Sequence, residues 1–196
     1  MFWYLIKQTI VPFIYLLFGT MIALGILMIE DLVWLKVVLL LLNVGLYVVI
    51  VGATSFKDGE MGYKALMAND LERMNIIRTG EDRPLKLKEE YAIWKGFVPG
   101  LITCIPLVLC LIIHVIINNG GQNMQAAGIC NFIYMTFGAF AHVGSLEVAP
   151  SWSVYVNLLA LIVVPLSTGF AYYLGARKIR LQQEMIAEKK RQIYGE

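Results

Sequence analysis

Residues 96–146 contain no lysine, arginine, aspartate or glutamate, and no water-soluble fold can hide so long an uncharged stretch. Comparable apolar blocks lie on either side of it. Only 15% of the 196 residues are charged and 59% are hydrophobic, whereas a soluble domain carries about a quarter charged residues. The apolar residues come in blocks rather than in alternation, which favours helices over a barrel. The sequence therefore predicts an all-α integral membrane helix bundle, one domain over 1–196.

Four blocks are long enough to cross a hydrocarbon core of about 30 Å at about 1.5 Å per residue. They cover about 10–29, 32–53, 97–117 and 155–174. No small-residue cleavage site follows the first, so a permanent span is expected there rather than a signal peptide. Glu30 and Asp31 separate the first two spans as a tight hairpin, and Lys36 is placed to snorkel to the interface. Pro99 and Pro106 predict kinks in the third. The block at 125–143 is apolar but short and rich in small residues.

Charge distribution sets the expected topology. The segment 55–95 holds eight basic and eight acidic residues, the tail 176–196 holds six basic ones, and residues 96–175 hold none that are basic. By the positive-inside rule both basic segments face the cytoplasm, with both termini inside a plasma membrane. An even number of crossings must then separate loop from tail, so 125–143 is expected to be re-entrant or to lie on the outer surface. The alternative is five transmembrane helices with an external tail. Non-helical backbone at that depth is tolerated only when buried in protein or lining a cavity.

Polar residues inside such blocks are candidates for a polar path or ligand site. Thr103, Cys110, His114 and Asn118 share one face of the third span. Asn43 in the second span, also readable as an interhelical hydrogen bond, and Asn157 and Thr168, eleven apart on one face of the fourth, complete the set. Ser167, Ala171 and Gly175, spaced by four, form a surface that lets another helix approach closely. Cys110, His114, His142 and Glu147 supply ligand types for a soft metal, with Cys130 nearby. Only Cys110 and His114 have the favourable i, i+4 relation, so no metal or other cofactor is expected. No nucleophile elbow, phosphate loop or dinucleotide fingerprint occurs, so no catalytic residue is assigned.

Within 55–95, Tyr63, Leu66, Met67, Leu71, Met74 and Ile77 repeat with helical spacing. They predict an amphipathic helix ending near Thr79-Gly80, which either lies on lipid or docks a cytoplasmic partner. A second short helix is expected over 85–95. The net charge of +2 gives no field suited to nucleic acid. The expected function is that of a non-enzymatic multi-pass protein. It is either a small transport or channel-type protein or the membrane subunit of a larger complex, in contact with lipid and forming a homo-oligomer or hetero-complex. Two alternatives are a small membrane enzyme with an outer-face His/Glu site, and a scaffold docking a cytoplasmic partner through 60–78.

Overall fold

The computed structural model describes residues 2–29, 32–80, 85, 89–118, 129, 131–144 and 153–194; residues 2–5, 114, 115, 117, 118, 153 and 154 are described by backbone only. All regular structure among them is helical. Three long helices dominate: α1 (Phe2–Leu27), α2 (Val33–Thr79) and, at the end of the chain, a helix over Leu158–Tyr194. Between them come α3 (Ile93–Thr103), α4 (Ile105–Asn118), α5 (Met135–Gly138), a 3-10 turn (Ala139–His142) and α6 (Ser153–Val156), so the last long helix is α7. The three long helices are apolar enough to cross a membrane. A fourth joins them if α3 and α4, bent by 43° at Cys104, count as one.

The order of contacts gives the topology of the bundle. Asn43 donates to the Gly19 carbonyl at 2.9 Å, and Leu27 shares an apolar cluster with Leu40, so α1 and α2 are antiparallel. A Cβ on Gly96 would lie 2.6 Å from that of Tyr172, and one on Gly100 would lie 2.6 Å from the Pro165 Cα. Further along, the Cys104 thiol reaches the Ala160 carbonyl. Hence α3 and α7 are antiparallel as well. The start of α1, the charged half of α2, the start of α3 and the charged half of α7 gather at one end of the bundle.

Helix α2 and helix α7 run parallel and touch backbone to backbone. A Cβ on Gly59 would collide with the Tyr172 carbonyl, and one on Gly175 with the Phe56 carbonyl. Ala171 faces Gly52 at an ordinary contact distance. Small residues are what allow this approach, because packing rather than hydrophobic exclusion joins helices in lipid. Large apolar side chains such as Phe18, Met21, Leu42, Val49 and Phe170 point outward instead, which is compatible with a lipid-facing surface.

The charged segment after Ala53 differs from expectation in its connection. Rather than forming an amphipathic helix of its own, it is the direct continuation of α2 to Thr79, where Gly80 in the left-handed region (φ 71°) closes the helix. Lys, Glu, Met, Leu and Arg are all good helix formers, and the glycines at 59 and 62 are held by packing, so nothing interrupts the ladder. Residues 89–92 are non-helical, and α3 starts at Ile93. The part of the expected 85–95 helix at residues 86–88 lies outside the described residues.

Residues 131–143 enter the middle of the bundle. Tyr134, Thr136 and Ala139 are fully buried and Phe137 almost so. The Thr136 hydroxyl donates to the Leu16 carbonyl at 2.9 Å, the Thr20 hydroxyl lies 3.1 Å from the Ile133 carbonyl, and the Phe137 ring meets Tyr47 edge-on. Of the 125–143 block, residues 125–128 and 130 lie outside the described residues.

Candidate functional site

The polar residues singled out from the sequence do not converge on one cavity. Thr103 is buried and its hydroxyl bonds back to the Pro99 carbonyl at 2.8 Å; Thr168 does the same toward Val164 and Pro165. Such back-bonding satisfies a hydroxyl inside its own helix. Asn43 spends its amide on Gly19, and Asn157 donates to Asn131 at 2.8 Å. Gly138 makes room for that pair, since a Cβ there would strike the Asn157 side chain. Cys110 is half-buried against the main apolar cluster. The side chains of His114 and Asn118, and all of Cys130 and Glu147, lie outside the described residues.

His142 is buried in the 3-10 turn, its Nε2 without a hydrogen-bond partner among the described residues. Among those residues no group of three or more His, Cys, Asp or Glu could hold a metal ion. The docking stripe divides in two: Tyr63, Leu66 and Met67 are half-buried, whereas Leu71, Met74 and Ile77 are exposed by 63%, 62% and 86%.

A different set of residues does converge. Gln8, Val11 and Pro12 from α1, Thr54, Ser55 and Asp58 from α2, Lys95, Gly96 and Pro99 from α3 and Tyr172 from α7 line a small, partly open cavity whose walls are mixed polar and apolar. Its room of about 10 Å³ admits about one water molecule. Glycines at 59 and 96 bring Tyr172 of α7 into contact with α2 and α3, so three of the four helices meet at that point. Sequence reasoning missed the cavity because its polar members are scattered from residue 8 to residue 172. The one local signal was the run Thr54, Ser55, Asp58, which puts three oxygen-bearing side chains within about one turn just past the apolar block.

Below the cavity an ordered layer braces the loop against α2. The Tyr91 amide donates to the Gly62 carbonyl at 3.0 Å, and the Tyr91 ring stacks on Tyr172 with centroids 5.3 Å apart and meets Tyr63 edge-on. Burial beside neighbouring tyrosines raises the Tyr91 phenol above its ordinary value. Arg73 bridges Asp70 at 2.7 Å and Glu90 at 2.9 Å. The Lys95 ammonium, almost wholly buried, donates to the Glu90 carbonyl at 2.5 Å. Across the bundle Lys178 pairs with Glu60 at 2.6 Å and lies over the Phe56 ring.

Electrostatics single out Asp58. It lies past Ala53, where the apolar stretch of α2 has ended, and no hydrogen bond or ion pair holds its carboxylate among the described residues. Withdrawal from water disfavours the charged form, and burial pushes the Asp58 carboxyl up to about 6. No protein-family model, curated protein or solved structure matches the chain.

Proposed function

We propose that the chain is a non-enzymatic multi-pass protein of the plasma membrane that serves as the membrane subunit of a larger complex, docking a cytoplasmic protein. One observation carries this reading: α2 and α7 leave the apolar bundle as unbroken helices and end in exposed arms. At 47 residues, α2 is about 70 Å long, more than twice a hydrocarbon core of about 30 Å. Its far end presents Leu71, Met74 and Ile77, and α7 beyond Arg180 is exposed throughout while carrying Leu181, Met185, Ile186 and Ile193. Apolar side chains on a projecting helix are the anchors of helix-in-groove recognition. Changing Leu71, Met74 and Ile77 together to Lys is expected to strip co-purified proteins from the tagged chain. The bundle should keep its elution volume in detergent, because these side chains point away from it. Retention of every partner by the triple variant would sink the reading.

In this reading four crossings, formed by α1, α2, α3 with α4, and α7, leave both termini in the cytoplasm, and 125–143 is re-entrant. The antiparallel pairing of α3 with α7 supports it, as does the burial of Tyr134 and Phe137. Labelling single cysteines in intact cells, with the native ones replaced, tests it. A cysteine at Ser151 should react from outside and one at Gln192 should be protected; the reverse pattern means five crossings and an external tail. Transport is a second reading, favoured by the cavity beside Asp58.

A further inference from the structure

We propose that the cavity walled by α1, α2, α3 and α7 is a proton-binding site, in which Asp58 takes up and releases a proton through a water molecule held by its polar neighbours. The argument starts from the lining. Thr54 donates its hydroxyl hydrogen into its own helix, toward the Val51 carbonyl at 2.8 Å and the Ile50 carbonyl at 3.3 Å. Its oxygen is left to accept from a water. Ser55 and the Gln8 amide can both donate and accept. A water in the available space thus has the two to four polar partners that a buried water needs, and the Asp58 carboxyl is one of them.

Charge at the site fits a group that exchanges one proton. Among the described residues the one basic side chain lining the cavity is Lys95 from α3; α1 contributes the neutral Gln8, and α7 contributes Tyr172. On its own helix Asp58 is flanked by Lys57, which is exposed, and by Glu60, which is engaged by Lys178. The Lys95 ammonium is drawn toward the Glu90 carbonyl, and Glu90 is itself paired with Arg73. Burial, rather than attraction to a neighbouring cation, therefore dominates at the Asp58 carboxyl. The protonated acid can donate to the water or to a neighbouring oxygen, and the carboxylate can accept from the same water, so both forms are housed without rearrangement.

Position gives the site its consequence. Asp58 stands where α2 passes from its apolar to its charged half, next to Gly59, whose backbone meets that of Tyr172. Gain or loss of a charge here is felt by all four helices that hold the arm. This site goes beyond docking and does not depend on it: an arm variant can lose its partner while Asp58 still titrates.

Infrared difference spectroscopy of the full chain in nanodiscs, stepped in pH, reads the proton directly. The carbonyl stretch of a protonated carboxylic acid should appear as pH falls through about 6 and should be missing from Asp58→Asn. Its absence from the parent protein above about pH 5, or its persistence in the variant, overturns the proposal. Thermal unfolding supplies a second measurement. A carboxyl raised from 3.8 to about 6 binds its proton more tightly in the folded state, so the stability that Asp58 contributes is fully present below 3.8 and is lost as pH rises through about 6. Asp58→Asn, neutral at every pH, should lose that downward slope; an unchanged slope overturns the assignment to Asp58. Should Asp58→Asn fail to fold, Asp58→Glu is the substitute: a carboxyl one methylene longer sits elsewhere in the cavity and must move the infrared band or its titration midpoint, and an unmoved band and midpoint also overturn the assignment.

Discussion

Replacing Gly59 by Ala is expected to destabilise the bundle, whereas the same replacement at Gly45, on the same helix, leaves it unharmed or slightly improved. A Cβ at Gly59 has nowhere to go, because the atom it meets is the Tyr172 backbone carbonyl rather than the end of a flexible side chain. The helices must part, and overpacking of this kind costs about 3 kcal/mol, more than the roughly 1 kcal/mol gained by exchanging Gly for Ala in a helix. Gly175→Val should do at least as much harm, since its Cβ meets the Phe56 carbonyl and lies close to the Glu60 amide. At Gly45 no atom of the described residues, its own helix backbone aside, lies within 4 Å of the place an alanine methyl group would occupy, so the helix preference decides the outcome. Unfolding in mixed micelles measures both changes. Equal behaviour of the Gly59 and Gly45 variants would mean that α2 and α7 do not meet as described.

The long helices are readable from the sequence because hydropathy acts locally. An uncharged run of about twenty residues has one low-energy state in lipid, whatever surrounds it. The spacing of Ser167, Ala171 and Gly175 also reports a close helix contact without naming its partner; the structure supplies Phe56 for Gly175 and Gly52 for Ala171. The continuation of α2 to Thr79 is less legible. A change from apolar to charged residues marks a change of solvent, and it resembles a change of element, although none of the intervening residues stops a helix.

The candidate cavity is illegible for another reason. Asp58 sits in a segment whose charges balance, and Lys95 sits at the start of an apolar block; each has an ordinary solvated reading by itself. Only the convergence of four helices gives them a shared environment. The polar residues that do stand out, Asn43, Asn157, Thr103 and Thr168, stand out because they lie in apolar blocks. That is also where a polar group has to find a partner, so each is engaged in a hydrogen bond.

Tyr134→Phe tests the join between α3 and α4 and is expected to cost about 2 kcal/mol, the penalty for leaving a buried backbone group without a partner. In an unbroken helix the Leu107 amide would donate to the Thr103 carbonyl. Here the Tyr134 hydroxyl stands between them, accepting from Leu107 at 3.2 Å and donating to Thr103 at 2.7 Å. Pro106 contributes by lacking an amide hydrogen and by crowding the carbonyl of Ile102, and both effects open the turn. Kinks have such causes: a proline, or a side chain inserted into the ladder. Tyr134→Ala removes a fully buried ring as well and should cost about 4 kcal/mol. A double-mutant cycle separates cause from consequence. With Pro106→Ala the turn can close, so Leu107 can reach Thr103 directly and Tyr134→Phe should become cheaper by about 1 kcal/mol. If the two changes simply add, the hydroxyl does not replace the missing turn, and the bend has its origin in Pro106 alone.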